Sequence, residues 1–498
     1  MSFRKIILAI SHLLFISSIS GQIYIPGDFF NRIDKTDSTT LTLYKSIHQD
    51  GQSQFSLINP FAKFSNNSEY ARGYNDGPVW KGKAWTVEAH AGMQGKVGKF
   101  HYTFFPVAFY SRNIKFRKAL SSDEVRYQFS NQIDWVQQYG FDQFVKFHPG
   151  QSEVKFQLNK FNIALSTQNY SLGPSIFNPI ILSRQAGGFP HLRFGFDATD
   201  LNIGKSQIGK VEANIIMGLL NESDYFDDIE ENDRRYINIL ALGFSPNFLP
   251  ELTLGLNKSL YKQTRYFEGA DLLSLFYILD DGVLDGDTLS PNDAFDQMVS
   301  ITMDWNFKKV GFRAYAEFAK NDFTSDGGGL RPTAIEPEHT RAYTIGFEKS
   351  GSTRKGRAYT FGYEHTNLSA NQAPLWRATP SYYTHSVNRN GYTHDGQILG
   401  AGIGPGGNSD HFHFKIDYGS FLAGSLIQRI EHNRDYFVAN IANFFSHDIE
   451  YSLGIFFQKE TPKFIFSAEG IFSYNYNRNF GGDRSNRYLS LGVRYKLD

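Results

Sequence analysis

The chain has 498 residues, 50 Lys and Arg against 50 Asp and Glu, 45 glycines, no cysteine, and 16 % aromatics dominated by 46 Phe and 28 Tyr. The absence of thiols excludes a disulfide framework and a cysteine-linked lipid anchor, and near-neutrality gives no electrostatic reason to expect nucleic acid as a partner. At this length two or three soluble domains of about 150 residues each would be ordinary, but no linker, low-complexity tract or fixed-period repeat divides the chain, so one large closed object is expected.

Residues 1–21 read as an export signal. Arg4 and Lys5 form its positive start, Ile6 to Ile19 its short apolar stretch, and Ser18, Ser20 and Gly21 the small residues of a cleavage site. The stretch is too short for a membrane-spanning helix, which needs about 20 apolar residues. Removing it leaves residues 22–498 as a single domain with 48 basic and 50 acidic side chains.

Residues 121–139, SSDEVRYQFSNQIDWVQQY, carry a serine cap and acids in the first turn, so a helix is expected there. Residues 154–165 and 211–219 alternate apolar with polar and read as strands. Between them, 172–191, LGPSIFNPIILSRQAGGFPH, is too apolar for a solvated loop. Its three prolines and three glycines nevertheless forbid a regular strand or helix. Residues 222–233 hold seven acids in twelve positions and read as an acidic surface loop. Residues 267–297 contain a helix-like run from Leu272 to Leu279, an acidic loop, and a Ser290–Pro291 helix start. Alternation resumes over 299–307, 310–319, 357–365, 411–418 and 464–476. The chain ends in 488–497, with Leu489, Leu491, Val493, Tyr495 and Leu497 on one face.

A period of two throughout means an all-β protein whose sheet has one apolar and one polar face. A soluble sandwich turns the apolar face inward, whereas an outer-membrane barrel turns it to lipid. Arg313, Glu317, Glu364, Lys415 and Glu469 put ionised groups on the polar face of strand after strand, which suits a lumen. Aromatics gather near segment ends, at 359–363 and 474–480, where interfacial girdles would sit. The expectation is a large antiparallel outer-membrane β-barrel, and segment spacing gives about 16 to 18 strands. Such a lumen conducts water unless something fills it. Irregular backbone at membrane depth must be buried in protein, so 172–191 is expected to fold into the lumen.

The search for chemistry gives no enzyme, cofactor or metal. Residues 402–407 match GxGxxG, but Pro405 interrupts them and a strand follows, so a loop needing positive φ explains the glycines. Asp281 to Asn292 fails as a calcium loop at Val283 and Asn292. His411 and His413 with Asp417 are two histidines without a third fixed ligand, and read as a polar lumen wall. Neither GxSxG nor HExxH occurs, and the adjacent Ser409, Asp410 and His411 cannot converge as a triad.

Several blocks, taken in order, resemble the Wzi capsule-assembly proteins, in particular the branch found in gliding Gram-negative bacteria. They are YNDGPVWKGK (74–83), PGQS (149–152), the 172–191 segment, PNDAFDQ (291–297), YAEFAKND (315–322), GYTHDG (391–396) and GPGGNS (404–409). The resemblance implies an 18-stranded outer-membrane barrel, occluded by inward-folded loops and a small helical bundle, that holds capsular polysaccharide at the cell surface. The family's paired tryptophans before the Gly-Pro are replaced here by Tyr170, Ser171 and Leu172, so that part of a sugar site does not carry over. Aromatic rings stack on sugars, and Arg, Asn and His bond hydroxyls and carboxylates. Candidate polysaccharide-binding residues are accordingly Asn75, Asp76, Trp80, Arg184 and His191, with Arg184 alternatively pinning the plug to an acid. The expected partners are outer-membrane lipid and surface polysaccharide. A gliding-motility component and a diffusion porin are the alternatives.

Overall fold

The computed structural model describes residues 28–33, 40–44, 54–118, 133–227, 229–276, 295–321, 334–371, 380–441 and 443–497. Among these, 18 antiparallel strands close a single barrel. The first, Ser56–Asn67, pairs with the last, Arg484–Tyr495, placing Phe61 opposite Arg494 and Asn67 opposite Tyr488. Two neighbouring strands are each interrupted once, as Phe100–Phe104 with Val107–Ser111 and as Phe144–His148 with Glu153–Leu158. Pro106 and Pro149 sit at the breaks, where they have no N–H to give a ladder. The chain bends inward there and buries Phe105 against Ile58 and Phe61.

The faces are inverted relative to a soluble sheet. Leu489 and Leu491 are 60 % and 64 % exposed, and Ser490 between them is 2 % exposed. Phe412 is 54 % exposed between buried His411 and His413. Alternation therefore turns apolar side chains to lipid and polar ones to the lumen, and the protein lies in the outer membrane. No described helix is long and apolar enough to cross a membrane. Aromatic pairs mark the interface: Trp85 stacks on Tyr110 at 4.8 Å, and Tyr451 meets Tyr476 edge-on at 6.2 Å.

One end of the barrel is joined by short turns and the other by long loops. Turns such as 98–99, 204–205 and 308–311 close tightly on positive-φ glycines, Gly98, Gly204 and Gly311. Connections such as 68–83, 167–190 and 368–407 are long. Short turns face the periplasm and long loops the cell exterior.

Several of the long loops turn inward. Residues 172–191 fill the lumen as expected, with Phe177, Ile180 and Ile181 wholly buried. Leu172 and Ile180 to Leu182 join Tyr383, Tyr392, Ile398 and Leu399 of the 368–407 loop and inward wall residues Ile216, Ile237 and Ile239 in one apolar cluster. A second cluster joins Ile176 and Phe177 to Phe29, Phe30 and Ile33 of the helix Phe29–Ile33, with Phe29 stacked on Phe456 at 3.8 Å. The N-terminal segment and the loop meet in a two-residue ladder, Leu43–Tyr44 against Ser171–Leu172.

Irregular backbone needs hydrogen-bond partners once buried, and wall glutamates supply them. Glu364 accepts the N–H groups of Ile176 at 2.6 Å, Phe177 at 3.0 Å and Asn178 at 2.8 Å, and the Tyr315 hydroxyl at 2.9 Å. Glu317 accepts Ile180 N–H at 3.0 Å. Glu212 accepts Leu41 N–H at 2.8 Å. These carboxylates stand where the ladder of an ordinary plug strand would have stood.

Two local expectations are corrected, and a third is made more specific. Residues 154–165 are two strands, Glu153–Leu158 and Phe161–Ser166, because the exposed set slips from even (Val154, Leu158) to odd (Phe161, Ile163, Leu165) across a turn at Asn159, φ 55°. The helix read over 121–139 lies partly outside the described residues, and 133–139 is irregular. Its backbone bonds to other loops instead, as Asp134 N–H to Asn390 O at 2.9 Å and Val136 N–H to Gly396 O at 3.0 Å. Of the run Leu272 to Leu279, the described part lies in a 3-10 helix, Gly269–Phe276. The export signal, the Asp281–Asn292 loop and the Ser290–Pro291 start lie outside the described residues.

Candidate functional site

Toward the exterior, six long loops surround a cavity of about 140 Å³ above the plug. Aromatic rings of Tyr70, Tyr74, Trp80 and Trp135 line it, together with the charged or amide side chains of Arg72, Gln185, Gln397, His432, Asp448, Glu450 and Arg478. This mixture matches what a saccharide presents, apolar C–H faces rimmed by hydroxyls.

Three of the rings are fixed by polar anchors. Trp80 Nε1 donates to Asn113 Oδ1 at 3.0 Å, and its ring meets Tyr139 edge-on at 4.9 Å. The Tyr74 hydroxyl donates to Asn178 Oδ1 at 2.5 Å and the Tyr70 hydroxyl to Asn475 Oδ1 at 2.5 Å. Arg478 sits over Tyr70, its guanidinium carbon 3.6 Å from the ring centre. Its Nε has no hydrogen-bond partner among the described residues.

Opposite, Arg72 donates from Nε and Nη2 to Glu450 Oε1, both at 3.1 Å, and from Nη2 to Gln428 Oε1 at 3.0 Å. Burial alone would lower the Arg72 pKa, but Glu450 beside it raises it, so the guanidinium stays charged. Burial pushes the Asp448 carboxyl up, while His432 and Arg478 partly hold it down. The two acids and two arginines balance. The cavity offers fixed donors and acceptors with little net field, suited to hydroxyl recognition more than to ion capture.

The candidates from sequence reach this cavity unequally. Trp80 lines it. Asn75 sits behind it as a strut, its Nδ2 donating to Phe177 O at 2.9 Å and its N–H to Gln185 Oε1 at 2.7 Å. Asp76 accepts the Tyr74 N–H at 2.7 Å and lies 3.4 Å from Lys81 Nζ. Arg184 is buried deeper, with Nη2 donating to the Tyr44 carbonyl at 3.4 Å, so it ties the plug loop to the N-terminal segment. His191 is buried on the inner wall, with Nδ1 2.8 Å from Phe189 O and its ring against Tyr170. Tyr70, Arg72, Trp135, His432, Asp448, Glu450 and Arg478 were not singled out from sequence. Arg72 and Tyr74 flank or open the 74–83 block, and that proximity was the only signal of them. His411 and His413 belong to the plug contact: Phe177 stacks on His411 at 4.6 Å, and His413 Nε2 lies 3.3 Å from Glu348 Oε1.

The fold and the cavity together define an occluded outer-membrane β-barrel with a mixed aromatic and polar outer mouth. Its fold is shared by Wzi of Escherichia coli, an outer-membrane protein involved in group 1 capsule assembly and a carbohydrate-binding β-barrel. The TM-score is 0.60 at 11 % identity over 90 % of this chain and 85 % of that one. OccAB2 of Acinetobacter baumannii aligns with a TM-score of 0.43 at 10 % identity over 88 % of this chain and 98 % of that one. OprD of Pseudomonas aeruginosa aligns at 0.42 and 8 % identity over 92 % and 97 %. No family model matches the sequence, and no curated protein matches it. Likeness at 11 % identity extends to the fold alone.

Proposed function

We infer that this protein is a non-enzymatic retainer of surface polysaccharide, which it holds in the outer-mouth cavity. The observation that carries the reading is the cavity itself: Trp80 and Tyr74 present anchored rings, with Trp135 beside them and a charge-balanced set of donors and acceptors, over a filled lumen. Anchored aromatics lose little conformational freedom on binding a sugar face. A plug packed this closely favours holding a polymer over passing small solutes, and the carbohydrate binding ascribed to Wzi agrees with the same reading.

Deleting the gene and measuring cell-bound against released polysaccharide tests it, with spreading motility scored on the same strain. Polysaccharide should move to the medium at unchanged total output, and Trp80→Ala with Trp135→Ala should reproduce the shift while the barrel still assembles. Unchanged bound and released fractions would sink retention. Steady single-channel conductance of the purified protein would favour a porin instead.

A further inference from the structure

The eight connections at the short-turn end carry a charge imbalance that the whole chain lacks. Lys99, Lys160 and Lys205 stand in the two-residue turns 98–99, 159–160 and 204–205. Lys308 and Lys309 stand in the turn 308–311, Arg354, Lys355 and Arg357 in 353–357, and Lys463 in 461–463. The remaining turns, 247–251 and 418–420, add a single acid, Glu251. Nine cations thus stand with one acid, in a chain that has 50 of each. Turn geometry does not ask for them. Gly98, Asn159 and Gly204 make the bends at positive φ and leave the next position open, and each time it is Lys.

All of these cations but Arg357 are exposed, and none of the nine forms an ion pair among the described residues. They lie beside exposed apolar side chains at the strand ends. Val97 and Phe100 flank Lys99, Phe161 follows Lys160, Ile203 comes shortly before Lys205, and Phe464 follows Lys463. Arg357 is turned onto a neighbouring turn, its guanidinium carbon 4.3 Å from the Tyr418 ring centre, and Tyr418 stacks on Phe421 at 4.5 Å. A lysine whose stem runs along an apolar wall while its ammonium reaches water stands at headgroup depth. The six cation-bearing turns surround the mouth, because the two without a cation are not neighbours in the barrel.

We propose that this ring gathers anionic phospholipid from the periplasmic leaflet of the outer membrane, by the headgroup phosphate. A leaflet meets the barrel on every side, which a ring matches, whereas a soluble partner docked on one side would need a patch. An ammonium on the turn pairs with a lipid phosphate, and the acyl chains lie along the apolar side chains beside it. Phosphatidylglycerol is held in preference to phosphatidylethanolamine, because the latter carries its own ammonium beside the phosphate. The ring is on the outside of the wall, at the opposite end from the cavity, and neither depends on the other.

The test reconstitutes the full-length protein in phosphatidylcholine vesicles with a trace of spin-labelled phosphatidylglycerol or spin-labelled phosphatidylethanolamine. Electron paramagnetic resonance then counts the label immobilised beside the barrel. Phosphatidylglycerol should be enriched there about fivefold, the effect of one basic residue near an anionic headgroup. Salt at about 1 M, where the screening length is about 3 Å, should erase the excess. Changing Lys308→Gln, Lys309→Gln, Arg354→Gln and Lys355→Gln together removes four of the nine cations and should lower the excess by roughly half. Arg117→Gln with Arg389→Gln, exposed cations of the long-loop end, should leave it unchanged. Equal immobilisation of the two lipids, or an excess that the four-residue variant keeps in full, overturns the proposal. Equal immobilisation together with pelleting on purified sacculi that the four changes abolish would assign the ring to peptidoglycan instead. Should the four-residue variant fail to assemble, Lys99→Gln with Lys160→Gln asks the same question at two other turns.

Discussion

Glu364 and Phe177 stand 187 residues apart, and the carboxylate of the first accepts the backbone N–H of the second at 3.0 Å, between like bonds to Ile176 and Asn178. A single wall side chain thereby replaces the ladder that a proline- and glycine-broken segment cannot form.

Removing that carboxylate should loosen the plug. Hydrogen bonds to a charged group contribute about 1.5–3 kcal/mol each, and coupled losses are less than additive, so Glu364→Ala should cost about 3–5 kcal/mol. Thermal unfolding in detergent reads the loss, and planar-bilayer recording should show channel events that the unaltered protein lacks. Glu364→Gln, which keeps one acceptor, should fall between. A silent bilayer with Glu364→Ala would mean that the hydrophobic clusters hold the plug without it.

Arg72 and Glu450 form the buried ion pair of the cavity, 11 % and 6 % exposed. Breaking a buried pair from one side typically costs about 3–5 kcal/mol because a bare charge remains. Arg72→Met should show that loss in a denaturant titration. Arg72→Met with Glu450→Gln should recover much of it, and failure to recover would locate the cost in packing.

Asp134, buried against Ser223 and Gly396, has its carboxyl pushed up by burial to about 6, an effect that the Ser223 hydrogen bonds only partly offset. The docked carboxyl binds its proton more tightly than the undocked one, so docking gains as pH falls from about 7 toward 4, by up to about 3 kcal/mol, and loses as pH rises through about 6. Trp135 is the adjacent reporter. The fluorescence difference between the unaltered protein and Trp135→Phe should titrate with a midpoint near 6, and Asp134→Asn should abolish the step. A step that survives Asp134→Asn belongs to another group.

Trp80→Ala should weaken isolated polysaccharide about tenfold, the order of one well-stacked ring and its excluded water. Trp85→Phe is the control, because Trp85 stacks on Tyr110 on the outward wall. Isothermal titration with purified polysaccharide separates the two. Equal weakening would place binding outside the cavity.

The wall was legible because lipid and lumen demand opposite side chains, so Phe412 between His411 and His413 announces its face from sequence alone. The plug was legible too, since Pro174, Pro179 and Pro190 sit among Ile176, Phe177 and Ile180. The cavity was not. Arg72 and Glu450 lie 378 residues apart, and nothing local to either names the other. Trp80 lies at the cavity while Arg184 and His191 lie deeper, and the reading of Arg184 as a pin was already one of two that its sequence allowed. Charged and aromatic residues also serve to pin a plug, as Arg184 does at the Tyr44 carbonyl, and sequence does not separate a pin from a ligand contact.

The strand Ser56–Asn67 begins at the short-turn end, and the described segments 28–33 and 40–44 lie in the lumen beneath 167–190, which descends from the long-loop end. The two corks touch at the two-residue ladder Leu43–Tyr44 with Ser171–Leu172, helped by Glu212 at Leu41. Mechanically the joint is lopsided. The outer cork is sewn to the wall by charge-assisted hydrogen bonds to Glu317 and Glu364, whereas the inner one is held mainly by ring packing, with Phe29 stacked on Phe456, so a steady pull from the periplasm loads packed rings first.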